Sequence, residues 1–289
     1  TLPPSPYRNT AKQWVAQMQG GNADVVSAKD VQNYDDADGD WLVGGGLGAF
    51  VSHVHRDVPV RLNCPVSKID YSGDGVKITT AEGTLAARYV VLTVSTGVLA
   101  AEAIEFVPRL PARKIAAIGQ VPNGLLNKVG IEFDPAWTLA QQGDMADYAV
   151  QGDEFCTVLF GFFGSPLAVG FLAGRFADEA EREGAGAATD FCLNALREIF
   201  GNDVTKHILA TSETAWRSNP LTLGSYSYAC PGGADARKVL VEPLDERLFF
   251  AGEATISTAY ATVHGAYLSG VAAAEAVVAT DRKTARKQE

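Results

Sequence analysis

One stretch near the end of the chain, residues 248–278, constrains the fold more than any other. It opens with a short apolar run, Leu248-Phe249-Phe250-Ala251, of the length and bulk of a buried strand. Gly252 and Glu253 close the run, and a polar loop extends to Ala261. Thr262, Val263, His264 and Gly265 then open an alanine-rich segment with few breakers, which predicts a buried helix. Strand, acid, loop and helix start, in that order, is the layout by which an α/β sheet holds a ligand beyond its strand ends. The first turn of a helix offers unpaired N–H groups and partial positive charge, suited to the carbonyl or anionic edge of a ring. A carboxylate at the strand end accepts hydrogen bonds from ribose-like hydroxyls. On composition alone, a core strand and a core helix joined by a surface loop account for the same residues.

The chain has 289 residues, 47% hydrophobic and 20% charged, with a net charge of −10. That is ordinary globular composition, and a chain of this size buries roughly three quarters of its unfolded surface. The negative charge argues against binding a nucleic-acid backbone and gives weak long-range attraction for cationic amines. Cys64, Cys156, Cys192 and Cys230 are scattered without Cys-x-x-Cys spacing, which predicts reduced thiols rather than a disulfide framework or a zinc site. His53, His55, His207 and His264 form no set with metal-ligand spacing. With no apolar run long enough to span a membrane and no leader-like segment, a cytoplasmic location is expected.

Read in order, the chain predicts a helix over 11–18 and an acidic loop holding Asp35, Asp36, Asp38 and Asp40. The loop has the Asp-x-Asp pattern of a calcium site but not its downstream glutamate, so a solvated turn is expected. Gly44, Gly46 and Ala49 fit the dinucleotide fingerprint on paper but lack its strand and its following acid. A glycine loop leading into a helix over 49–55 is expected instead. Residues 58–94 alternate apolar and polar positions, with turns at Gly73-Asp74-Gly75 and Glu82-Gly83. That predicts strands, the first over 59–63 and the last a buried one over 89–94. A crossing through Pro108 and Pro111, a helix over 112–119 and a strand over 126–133 follow, with Lys128 on the polar phase of that strand. Strands over 155–163 and 167–173, an amphipathic helix over 178–200 broken by glycines at 184–186, and a strand over 208–216 complete the set. The charged tail after Arg282 is expected to fray.

The stretch GEAT…ATVHGAYLSG, at 252–255 and 261–270, resembles the C-terminal flavin-binding segment of the flavin-dependent amine oxidases. That family takes in monoamine oxidases, polyamine oxidases and the histone-demethylase branch. The resemblance implies an α/β plus α+β fold: a partial FAD/NAD(P)-binding, Rossmann-like domain with an amine-oxidase-type substrate domain. Residues 41–108 and 245–289 would form the flavin domain, and residues 1–40 and 109–244 the substrate domain. By position, Gly252 and Glu253 face the ribityl region of FAD, and Ala261, Thr262 and Val263 present backbone to the flavin pyrimidine. Val66 gives backbone contacts to the adenine. Lys128, in an Asn-Lys-Val element, stands under the flavin N5 through a water and is the expected reoxidation lysine. Trp216 packs beside the flavin. Tyr226, in Gly-Ser-Tyr-Ser, is one wall of an aromatic cage for the amine. Ser225 stands where monoamine oxidases carry their flavin-linking cysteine, so FAD is expected to be non-covalent. The implied reaction oxidises an amine to an imine, which hydrolyses to an aldehyde, while O2 becomes H2O2. An L-amino-acid oxidase or monooxygenase of the same superfamily is the alternative, and it would need an arginine such as Arg175 or Arg217 for the substrate carboxylate.

Two departures stand out. At the second cage position the residue is Ala259, so either Tyr260 takes that role or the pocket is wider there. The family's opening βαβ unit with Gly-x-Gly-x-x-Gly is not found in the chain. A piece of a longer protein, one subunit of a two-chain oxidase and a truncated, non-catalytic product all fit that shortfall. Apolar edges left open by it predict a partner chain or self-association.

Overall fold

The structure is a computed structural model that describes residues 7–35, 42–137, 145–149 and 154–286. Two hydrophobic clusters organise it. The first lies on an antiparallel sheet of five strands: β6 Leu126–Phe133, β7 Met145–Ala149, β8 Phe155–Phe160, β9 Leu167–Ala173 and β10 Ile208–Glu213. Their order in the sheet is β10-β6-β9-β8-β7. In β6 the alternation expected from sequence is realised. Asn127, Val129, Ile131 and Phe133 are buried, whereas Lys128 and Glu132 face outward. The buried face packs on two helices, α6 Gly174–Glu183 and α7 Ala187–Phe200. The predicted 178–200 helix is thus two, because Gly184 and Gly186 adopt φ of 115° and 97°, which only glycine takes easily.

The second cluster joins a four-stranded sheet to a parallel pair. Here β1 is Val66–Asp70, β2 Val76–Thr80, β3 Gly83–Ala87, β4 Val90–Leu92, β5 Glu105–Val107 and β11 Leu248–Phe250. The larger sheet has the order β3-β2-β1-β5, and the pair is β11-β4. The predicted hairpins at 73–75 and 82–83 connect β1, β2 and β3, antiparallel throughout. Helices α4 Thr96–Ala100, α5 Ala112–Gln120 and α8 Ala236–Val241 complete this cluster, with Val98, Val121, Leu240, Leu248 and Phe250 at its centre. Two more helices, α1 Arg8–Gln19 and α2 Ala28–Asn33, lie near the start of the chain.

Three expectations change. The buried strand expected over 89–94 is the shorter β4, in which Leu92 is buried but Val91 is exposed. Residues 59–63 form no strand: Val58, Val60 and Leu62 have the period of one but are exposed. A strand holds its shape by pairing, and no neighbour among the described residues lies alongside. The last helix, α9 Val263–Arg286, is not buried all round. Only Gly265, Ser269 and Ala273, on one stripe, are covered, while Val263, Tyr267, Leu268 and Val271 are exposed. A third helix, α3 Leu47–Val54, buries no residue although its composition is strongly apolar. The acidic loop falls largely at 36–41, outside the described residues. The four cysteines are free. Among the described residues, no group of acidic, histidine or cysteine side chains is placed to hold a metal ion. No described helix is long and apolar enough to cross a membrane.

β11 is anchored from below by Lys114 of α5, a buried lysine to which no local sequence pattern points. Its ammonium donates to the carbonyls of Val239, Leu240 and Glu242, at 2.7, 2.9 and 2.6 Å, and lies 4.0 Å from the centre of the Phe250 ring. These carbonyls end α8, where the helix leaves its acceptors unpaired. Burial lowers the Lys114 pKa from 10.5 to about 8, with Glu242 opposing and Arg113 adding to the shift. Between those two values the unfolded chain holds a proton that the folded chain has released, so this group favours folding more as pH rises. The stability of the chain relative to its K114M variant is therefore expected to increase from about pH 8 towards pH 10.5. Urea denaturation of the two proteins across that range checks it, and parallel curves would contradict it.

Candidate active site

The strand, loop and helix start of the C-terminal stretch are tied together by one carboxylate. β11 runs parallel to β4, and Ala251 N–H continues the pairing to Leu92 O. Gly252 follows with φ of 119°, and its N–H donates to Ser269 Oγ of α9 at 2.8 Å, which pins the helix to the strand end. Glu253 Oε1 accepts from Ser227 N–H at 3.0 Å, and Oε2 accepts from Ser227 Oγ–H at 2.8 Å and Ala261 N–H at 2.7 Å. Three donors on one carboxylate fix both its position and its orientation. The Thr262 hydroxyl donates to Ala259 O and accepts from Gly265 N–H, so it caps α9. The N–H groups of Val263 and His264 have no acceptor among the described residues, and Val263 is half exposed. The helix start therefore keeps two donors without an acceptor among the described residues, near the exposed Val263 and Tyr267 side chains.

Gly265 makes this geometry possible. A Cβ there would lie 1.8 Å from Ala259 O, so the loop approaches the helix more closely than any side chain allows.

A second segment, 223–228, docks onto the strand carrying Lys128. Ser225 N–H donates to Gly124 O, Gly124 N–H donates to Tyr226 O, and the Ser225 hydroxyl engages both N–H and C=O of Leu126. Tyr226 O–H donates to Gln17 O of α1 at 2.8 Å, and burial raises its phenol pKa well above the ordinary value. Asn127 is buried beside Lys128. Its Oδ1 accepts from Thr214 Oγ–H and Trp216 N–H, and its Nδ2 donates to Glu181. Thr214 closes the circuit, accepting from Lys128 N–H on its hydroxyl and donating its own N–H to Lys128 O. Burial raises the Glu181 pKa, but hydrogen bonds from Ser218, Asn127 and Arg217 outweigh it and the net shift is downward. The Lys128 side chain is exposed, with its ammonium 5.6 Å from the Phe171 ring centre and no ion pair among the described residues. Trp216 is 37% exposed.

The structure thus links Lys128, Trp216, Ser225, Tyr226, Gly252, Glu253, Ala261, Thr262 and Val263 through one run of contacts from β6 to α9. Val66, at the start of β1, joins them only through apolar packing in the cluster that contains Phe250 and Ala254. Ala259 is buried, and so is Tyr260, at 2% exposure. The Tyr260 ring is occupied, with the Arg237 guanidinium carbon 4.1 Å from its centre, Tyr34 edge-on, and its hydroxyl donating to Gln19. Sequence reasoning misses Ser227, Asn127, Glu181 and the close approach at Gly265. Asn127 could be found as the immediate neighbour of Lys128; the others join segments far apart in the chain.

These residues fit a flavin. The acceptor at the strand end suits a sugar-like chain, the two open amides suit a pyrimidine carbonyl edge, and the exposed Val263, Tyr267 and Leu268 offer apolar surface to a ring system.

The fold has the layout of a flavin-binding domain joined to a second sheet. The profile described as "Flavin containing amine oxidoreductase" matches residues 16–278, and the chain belongs to that family, whose cofactor is FAD. Among its relatives is lysine-specific histone demethylase 1 homolog 1 of Oryza sativa subsp. japonica, 36% identical over 257 residues, covering 85% of this chain and 30% of that protein. Polyamine oxidase 4 from the same plant is 34% identical over 263 residues, covering 88% of this chain and 52% of that one. The chain therefore spans about half the length of these relatives or less. In fold it is similar to cyclohexylamine oxidase from Brevibacterium oxydans, with a TM-score of 0.74 at 20% identity, over 98% of this chain and 66% of that one.

Replacing Gly265 with alanine forces the loop at 259–262 off the helix. A loss of about 2–3 kcal/mol in unfolding free energy is expected, the scale of overpacking against backbone, and chemical denaturation measures it.

Proposed function

We propose that the chain is the C-terminal portion, or a subunit, of an FAD-dependent oxidase that converts an amine to an imine and then an aldehyde, with O2 reduced to H2O2. The observation that carries this reading is the pairing of a three-donor carboxylate, Glu253, with the open amides of Val263 and His264 across one short loop. When bound, FAD supplies the two-electron oxidation. Around it, Gly252, Glu253, Ala261, Thr262 and Val263 bind and orient, and Val66 contributes backbone on the adenine side. Trp216 packs beside the ring, and Ser225 leaves the cofactor non-covalently held. The exposed Lys128 ammonium, without an ion pair among the described residues, holds a water and stabilises negative charge developing on oxygen. Tyr226 walls the amine pocket, and the small Ala259 leaves its opposite side wide.

A division into a flavin domain, residues 41–108 and 245–289, and a substrate domain, residues 1–40 and 109–244, belongs to the same reading, with α5 and α8 packing on the flavin side. The exposed apolar residues of α3 and α9 are proposed to be covered by a second chain or a second copy of this one. A cytoplasmic setting agrees with the four free thiols. The names of the relatives mention polyamines and histone lysine; both are amines, and the proposal stays with that class.

An amino-acid substrate is disfavoured by the placement of the two candidate arginines. Arg175 and Arg217 line one cavity of about 240 Å3, but Arg175 pairs with Asp24 at 3.0 Å and Arg217 with Asp178 at 3.3 Å. Each thus already has a carboxylate of the chain as partner, which supports an amine over an amino acid.

Flavin titration followed by fluorescence quenching tests the reading. Binding by the chain, or by the chain with its covering unit, is expected; no binding in either form would leave a non-catalytic subunit or fragment. In the bound form, K128M is expected to slow reoxidation by O2 about a hundredfold, the usual scale for losing a charge-stabilising donor, while anaerobic reduction by amine stays near its original rate. Stopped-flow absorbance at the flavin band separates the two steps.

A further inference from the structure

Beneath Glu253 lies a fully buried ion pair that the proposed chemistry does not touch. Arg237 of α8 is 0% exposed and Asp30 of α2 is 1% exposed. The guanidinium donates in a fork to Asp30, Nε to Oδ1 at 3.2 Å and Nη2 to Oδ2 at 3.0 Å. Its remaining donors go elsewhere. Nη1 donates to Ser227 Oγ at 2.7 Å and to Ala254 O at 3.2 Å, and Nη2 reaches Ser227 O at 3.4 Å. Its face lies 4.1 Å from the centre of the Tyr260 ring. Arg237 therefore grips both ends of the loop between β11 and α9, and through Ser227 it reaches the carboxylate that the loop surrounds.

We propose that Arg237, held by Asp30, is a positioning residue for the flavin-binding carboxylate, acting through the Ser227 hydroxyl. This inference rests on the reading of Glu253 as a flavin ligand. A serine hydroxyl has one proton and two acceptor lone pairs, and a guanidinium can only donate. With Arg237 Nη1 donating into Ser227 Oγ, the hydroxyl proton is directed to Glu253 Oε2, 2.8 Å away. That bond and the two backbone amides occupy both acceptor sites of Oε2 and one of Oε1, which leaves one site, on Oε1, for the ligand. Asp30 keeps the guanidinium from turning, and α2 is itself held to the same segment by Ser27 N–H donating to Ala229 O at 2.8 Å. The pair thus couples an early helix of the chain to the flavin loop without touching the flavin.

The test is FAD titration of the holoprotein after cofactor removal, read by fluorescence quenching and by the flavin absorption spectrum, beside unfolding curves for the same proteins. S227A removes the relay and leaves the ion pair. R237M with D30L removes the pair and keeps the site apolar, an exchange often neutral for folding. Each is expected to weaken FAD binding about tenfold, the scale of one hydrogen bond to a charged group. All three changes together should weaken it no more than either does alone, because they cut one path. R237K, which keeps a charged donor, should restore most of the affinity. FAD affinity unchanged in S227A and in R237M/D30L, or losses that simply multiply, would overturn the positioning role. Absence of FAD binding by the unsubstituted protein would instead overturn the functional reading and this inference with it.

Discussion

The C-terminal loop, the helix start and the 223–228 segment meet at the Glu253 carboxylate. It takes donors from Ser227, which belongs to the segment docked on the lysine-bearing strand, and from Ala261, which precedes α9. The strand end, the helix start and the 223–228 segment are thereby fixed by a single side chain. An anion half-buried at a strand end would be costly alone; held by three donors, it becomes a rigid acceptor with one site left, on Oε1. The rest of the fold serves that arrangement. β4 and β11 aim the strand end, Ser269 pins the helix to Gly252, and Gly265 lets the loop close.

The same logic recurs on the lysine side. Asn127 sits one residue before Lys128 on β6, so it points to the opposite face, into the interior. There it collects Thr214, Trp216 and Glu181. The exposed lysine is thus carried on a strand whose inward neighbour fixes the tryptophan loop. Exposed and structural groups alternate along one strand because the pleat puts them on opposite sides.

Much of this is legible in the sequence, for identifiable reasons. β6 appears with the bounds that its alternation predicts, and the β1–β2–β3 meander follows its glycine turns, because period and turn chemistry are local signals. The motif at its start places α9 to within a residue. What escapes is long-range. Glu181 binds a residue 54 positions away and Arg237 one 207 positions away, and no local pattern announces either. Residues 59–63 fail for the converse reason: their pattern suits a strand, but pairing decides, and no partner is present among the described residues. The burial of α9 is overestimated from sequence because an apolar helix wrapped by protein and one with an uncovered apolar side have the same composition.

That uncovered side has a practical meaning. In the stretch from Leu42 to Cys64 the helix buries nothing, and the residues after it join no strand ladder among the described residues. Peptide bonds there are not shielded by packing or by a ladder, so a protease given a choice among the described residues would cut this stretch first.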